Sequence, residues 1–298
     1  MISYNPKDWF TFIFRFHKAD TFRQLLPLMV TIGMYSGVVV WIELDVLKLG
    51  ADSKLKNLSI LHTLLTFVIS TLLVFRTNTA YERWWDGRKF WGALVNSSRN
   101  LSLKLHAMLP IEDRQTRLFF GTMIGNFPIL LKNHLRDEHR HEKLHDNHLF
   151  NRGEINAQIH APMYLTRKLF DVTIELKNAG KFSSEDLLFL NAELMSFADI
   201  CGACERIKST PIPYSYSSFM KKFIFFFVMT LPLTLSFSLG YNCIPVIVFI
   251  FYVLASLEFI AEEIEDPFGK DQNDLPLESI SKKIRKSVYE ILEIPELP

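Results

Sequence analysis

The sequence predicts an all-α membrane protein, with four transmembrane helices per subunit continuing into a helical cytoplasmic body. Three observations predict it. Long uncharged apolar blocks recur, the segments between them carry helical periodicity, and the second block runs on into a charged, aromatic stretch without a helix breaker. The chain of 298 residues is 49% hydrophobic and 22% charged, and the two classes are segregated along it.

A bilayer core of ~30 Å needs about 20 helical residues. Residues 25–42 hold no charge, and residues 58–75 are interrupted only by His62 and a few Ser and Thr, so each block suits one span. Residues 223–257 are uncharged throughout and too long for one span. They divide at LGYNCIP, where Gly240, Asn242 and Pro245 favour a tight turn. Four spans result, the last two forming a hairpin.

Loop charge sets the orientation. The connection ELDVLKLGADSKLKN after the first span holds three lysines, and the turn at Gly240 holds no charge. Every other Lys and Arg lies in residues 1–23, in 76–222 or beyond 258. An even number of spans puts both termini on one side, and the basic bias makes that side cytoplasmic. The expected organisation is a cytoplasmic N-terminal segment (1–24), helices 1 and 2 (25–75), a helical cytoplasmic body (76–222), helices 3 and 4 (223–260) and a cytoplasmic C-terminal segment (261–298). The first 24 residues lack the continuous apolar core and cleavage site of a signal peptide.

Within the body, Leu101, Leu105 and Met108 share one helical face, and Leu118, Met123 and Phe127 share another. SSEDLLFLNAELMSF opens with Ser183 and Ser184 in the manner of an N-cap. The tail LESISKKIRKSVYEIL spaces Ile280, Ile284, Val288 and Ile291 as the stripe of an amphipathic helix.

The composition argues against several functions. A net charge of +1 and the lack of a basic stripe give no reason to expect a nucleic-acid partner. Nucleophile-elbow, Walker, dinucleotide and zincin motifs are absent, so an enzyme is not expected. Cys201 and Cys204 have C-x-x-C spacing but no thioredoxin-like context, and with Cys243 they make no disulfide framework. The His-rich segment 134–148 carries His134, His139, His141, His145 and His148, of which His141 and His145 are one turn apart. Arg136, Arg140 and Lys143 are interleaved, and a solvated tip is expected there rather than a metal site.

Residues 71–94 read TLLVFRTNTAYERWWDGRKFWGAL. The part from Phe75 to Gly92 resembles the signature of the bestrophin family. ERIKSTPIPYSYSSFMKKF ahead of the third span and EEIEDPFGKDQNDLPL after the fourth resemble two further family segments, in the same order. The resemblance implies a homopentamer around one axial pore, lined by the second span, whose extension continues below the membrane. It also implies self-association, contact with membrane lipid and passive passage of small monovalent inorganic ions through the cell (inner) membrane. Chloride is placed ahead of a monovalent cation such as sodium, with a non-conducting scaffold as a further alternative.

By this resemblance the pore neck is Phe67, Thr71 and Phe75, with Thr71 departing from the family's apolar pattern. Five hydroxyls at that ring would make the neck easier to wet. The polar stripe Ser59, His62, Thr63, Thr66 and Ser70 lies about a third of a turn away and is a rival lining on local grounds alone. The cytoplasmic aperture is implied at Ile212, between Pro211 and Pro213. Asp271 and Asp274 match the two carboxylates of the family's calcium clasp, but Lys270, Gln272 and Asn273 break the acidic run. Calcium needs six to eight oxygens, so the implied clasp is weak, and no other cofactor is expected. Glu262, Glu263, Glu265 and Asp266 are read either as a solvated helix end or as rings of negative charge favouring cations.

Overall fold

The computed structural model describes residues 21–49, 53, 58–138 and 143–295, with 156 and 157 described by backbone only. The expectations for residues 1–20, for His139 and His141 and for the last three residues fall outside these. The helices are α1 (Thr21–Trp41), α2 (Leu58–Met108), α3 (Arg114–Leu135), α4 (Ala161–Asn178), α5 (Ser184–Ser209), α6 (Tyr214–Thr230), α7 (Pro232–Leu239), α8 (Cys243–Glu265) and α9 (Leu277–Ile291). Among the described residues there is no β-strand beyond one isolated bridge, Asn147 with Phe150. Two compact units share the chain. The described residues up to 83, 211–265 and 271–273 make the first; the described residues of 84–210, 266–270 and 274–295 make the second.

In the first unit, α1 ends in a π-helical turn, Ile42–Val46. Pro232 at the first position of α7 ends α6, since a proline nitrogen has no hydrogen to continue the ladder. The expected turn is Gly240–Asn242, with Gly240 at φ 55°, where a side chain would be strained. Ile32, Ile69, Leu73, Ile224, Phe227, Ile247 and Phe251 form the core of this unit. Leu28, Met34, Val38, Phe225, Phe226 and Phe249 point outward and are exposed. An apolar surface of that extent would drive aggregation in water and suits helices whose solvent is lipid.

Four helical stretches are long and apolar enough to cross a membrane: Thr21–Val46, Leu58–Met108, Ser184–Ser209 and Tyr214–Glu265. The last contains the hairpin of two expected spans. Ser184–Ser209 was not expected from the apolar blocks, because Glu193, Asp199 and Glu205 punctuate it. It is α5, and its Leu190, Leu194, Phe197, Cys201 and Cys204 are buried in the core of the second unit. Both cysteines are free and serve as small core residues.

The second unit is built around α3. The sequence places Leu118, Met123 and Phe127 on one face there, but the structure buries the helix nearly all round, because α4, α5 and α9 all pack on it. Its polar side chains are therefore bonded inside. Asn126 donates to the His145 carbonyl at 2.8 Å and accepts from its N–H at 3.0 Å. Arg117 donates to the carbonyls of His106, Leu109 and Pro110, so it caps the end of α2 as well as anchoring α3. Ser183 caps α5, and its own N–H bonds Asp186 in a reciprocal capping box. The amphipathic α9 buries Ile284 and Val288, as its stripe predicts, and packs on α3.

Two titrating groups hold α9 in place. Glu278 accepts from Lys132 at 2.8 Å and from Lys143 at 2.5 Å, and these bonds lower its pKa to about 2. His145 faces the Tyr289 hydroxyl at 2.8 Å and Arg285 at 3.0 Å. Burial, then the Arg285 charge, lowers its pKa below 6.5. Both folded-state values are depressed, so the unfolded chain binds more protons and acid destabilises the fold. The His145 contribution is present above pH 6.5 and lost as the pH falls below it. The Glu278 contribution is present above pH 4.5 and lost as the pH falls towards 2. Amide exchange in α9 should therefore quicken in two acid steps, and Glu278→Gln should remove only the lower one.

Candidate functional site

The site begins with α2, a single helix of 51 residues. Nothing between Phe75 and Gly92 interrupts it, because the only glycine before Gly92, Gly87, is accommodated by packing. A Cβ added at Gly87 would come 3.0 Å from Pro267 and 3.1 Å from Phe268 of the PFG segment. Buried positions along α2 recur at Ile69, Leu73, Arg76, Ala80, Gly87, Trp91, Leu94, Ser98, Leu101 and Leu105. These steps of three, four and seven residues are the spacing of one α-helical face. Trp91 is enclosed in the core of the second unit and Trp84 packs against it, whereas Trp85 is exposed in the single chain.

On the other side of α2, Phe67 and Phe75 are 74% and 61% exposed, large values for phenylalanine. Thr71 is exposed between them, and its hydroxyl donates to the Phe67 carbonyl at 2.9 Å. The rival polar stripe divides. His62 is buried, with Nε2 2.9 Å from the Thr230 hydroxyl of α6 and Nδ1 3.0 Å from the Leu58 carbonyl. The Thr63, Thr66 and Ser70 hydroxyls each donate to the carbonyl four residues back, which satisfies them within the helix.

Arg76 is the best-defined charged group of the first unit. It is 1% exposed, with Nε 3.4 Å from Glu258 Oε1 and Nη1 2.8 Å from Glu265 Oε2. The Glu265 contact is too oblique for a hydrogen bond and acts as an ion pair. Glu265 Oε1 in turn accepts the backbone N–H of Ile212 at 2.6 Å, and the Glu265 carbonyl accepts from Arg83 at 3.0 Å. One carboxylate thus ties the Pro-Ile-Pro loop to α2. The half-buried Ile212 is held by prolines on both sides and by this bond.

The acidic residues near the end of α8 are mostly committed. Glu262 pairs with Lys221 at 2.8 Å, and Glu263 accepts from Asn273 at 2.6 Å. Asp271 is exposed in the first unit. Asp274 belongs to the second unit and is buried, so close to Gly269 that a Cβ there would lie 2.7 Å from its carboxylate.

The His-rich segment separates into individual contacts. His134 ends α3 and bonds Glu205, His145 lies against Tyr289, and His148 meets the Phe119 ring edge-on at 6.5 Å. Sequence spacing missed Glu258 and Glu265 as partners of Arg76, although Glu258 is the first charge after the long apolar block. It also missed His160 and Glu205, which no local pattern joins to His134.

Long apolar-faced helices around a buried charge cluster define a multi-pass membrane protein. The whole-chain comparison makes this specific: residues 1–290 match the bacterial/fungal bestrophin family, and the chain belongs to it. A voltage-dependent anion channel-forming protein of Ralstonia nicotianae is 30% identical over 298 residues, covering 97% of this chain and 94% of its own. One from a Nostoc species is 31% identical, covering 77% and 76%. The crystal structure of a bacterial bestrophin homolog from Klebsiella pneumoniae superposes with a TM-score of 0.82 at 25% identity, covering 91% of this chain and 100% of that one.

The Arg76 cluster yields a stability test. Removing the guanidinium strands the buried Glu258 carboxylate and the half-buried Glu265 carboxylate, which costs ~3–5 kcal/mol in comparable buried sites. Arg76→Ala should lower the thermal midpoint of detergent-solubilised protein markedly. Glu265→Gln keeps an acceptor for Ile212 and should cost less; equal losses would place the effect outside the ion pair.

Proposed function

We propose that the chain is the subunit of a homopentameric bestrophin-type channel that passes small monovalent ions passively, chloride and other anions ahead of cations. The main support is membership of the family over nearly the whole chain, together with relatives named anion channel-forming proteins. The site is a pore and not a catalytic centre. Spans lie in residues 25–42, 58–75 and, as a hairpin, 223–257, with α5 left in the cytoplasmic body because its apolar face is already buried there. Both termini are cytoplasmic, in the cell (inner) membrane, and the boundaries expected from sequence (1–24, 25–75, 76–222, 223–260, 261–298) describe the topology.

Phe67, Thr71 and Phe75 form the neck. Their shared outward face on α2 supports this, as does the burial of His62, of the rival stripe, against Thr230 of α6. Ile212 forms the cytoplasmic aperture, held by its flanking prolines and by Glu265. Membrane lipid covers the apolar outer face, including a groove of about 580 Å³ lined by Leu28, Tyr35, Phe225 and Phe259. Asp271 and Asp274 remain the carboxylates of a weak calcium clasp.

Anion preference gains from the acidic residues of α8. Glu262 is paired with Lys221, and Arg76 offsets one of the two carboxylates beside it, Glu258 and Glu265, which weakens the rings of negative charge that a cation pathway would use. One observation favours the alternative, a sodium-selective channel. The Thr71 hydroxyl spends its proton on the Phe67 carbonyl and turns only lone pairs outward.

Reversal potentials of the purified protein in planar bilayers under a salt gradient decide the sign: a value near the chloride limit is expected, and one near the sodium limit would overturn the anion preference. Thr71→Ile should lower conductance about tenfold, equivalent to ~1.4 kcal/mol of added barrier, and Ile212→Ala should raise it. Particle images should show fivefold symmetry; a dimer or tetramer would remove the neck assignment.

A further inference from the structure

We infer that His134, His160 and Glu205 form a binding site for one divalent transition-metal ion of the zinc class. The three residues come from three helices of the second unit. His134 lies in the last turn of α3, His160 is the N-cap of α4, and Glu205 lies near the end of α5. The two imidazole Nε2 atoms converge on the same carboxylate oxygen, Glu205 Oε1, at 2.6 and 2.7 Å. Their rings stack with centroids 4.6 Å apart and 29° between planes. One ligand atom from each residue lies within 4.8 Å of the other two.

Two imidazoles and one carboxylate suit zinc or its neighbours, whereas calcium and magnesium require mostly oxygen ligands. Tetrahedral bonds of about 2.1 Å set ligand atoms ~3.4 Å apart, so the carboxylate must withdraw by several tenths of an ångström. An ion between them would replace the protons that now bridge imidazole and carboxylate. His160 Nδ1 accepts the Met163 N–H at 3.3 Å, a long cap bond that is given up when that nitrogen takes the proton. The nearby cation, Lys208, is held by both oxygens of Asp137 at 2.7 Å and by the His134 carbonyl at 3.4 Å. The three ligand side chains are 29%, 35% and 34% exposed, so water can reach a fourth position. Bound metal would staple α3, α4 and α5 together.

The test uses the full-length protein in detergent, stripped with chelator and then dialysed against zinc or cobalt alone. One zinc per subunit is expected by elemental analysis, cobalt should show the intense visible bands of a tetrahedral site, and saturating zinc should raise the melting temperature by ~5 °C. His160→Asn keeps a good N-cap residue, and Glu205→Gln keeps the size of the side chain; circular dichroism checks that both fold. Each should weaken zinc binding by about 100-fold or more, and a His139→Ala/His141→Ala double variant should not. No retained zinc in the native protein, binding unchanged in folded His160→Asn and Glu205→Gln, or binding lost with His139 and His141 would overturn the site.

Discussion

The buried guanidinium of Arg76 is the interaction on which the first unit depends. A cation taken out of water at this depth must be compensated nearby, and α8 answers with two carboxylates, Glu258 and Glu265. Glu265 also holds the Ile212 amide. The apolar core can position helices to within a side chain's width, but oil-like contacts are forgiving along the helix axis. A charged cluster is not, because sliding α2 against α8 by one turn would strand a charge. The register of the hairpin against α2 follows from this cluster.

Much of the fold was legible. The bilayer-length blocks, the Gly240 turn, the α5 cap and the apolar stripe of α9 are local patterns, and local physics decides them. The character of α3 was less legible. Leu118, Met123 and Phe127 mark one apolar face, yet the polar Asn126, Arg117 and Lys132 are buried and bonded as well. A sequence records that a residue is polar; whether its partner is water or Glu278 depends on segments more than a hundred residues away.

The charged constellations were hidden for the same reason. Arg76 and Glu258 stand 182 residues apart, as do Arg83 and Glu265, and His134 meets Glu205 across 71. No motif spans such intervals. The His-rich run drew attention to composition, whereas the structure distributes its described histidines among Glu205, Tyr289 and Phe119. The proposed neck, Phe67, Thr71 and Phe75, rests on the family signature, since local polarity pointed to the neighbouring stripe that includes His62.

The buried face of α2 keeps phase over ten turns, from Ile69 to Leu105. Ile69 and Arg76, both in the first unit, are seven residues apart, two turns less about 20° at 100° per residue, so the core contact and the charge anchor share one face of the helix. Inserting a single residue between them would swing one contact by roughly 100° relative to the other, while inserting seven would shift it by only ~20°. Length changes in this helix are therefore quantised: two whole turns leave its buried face in phase, and a single-residue change would have to be absorbed by a bulge.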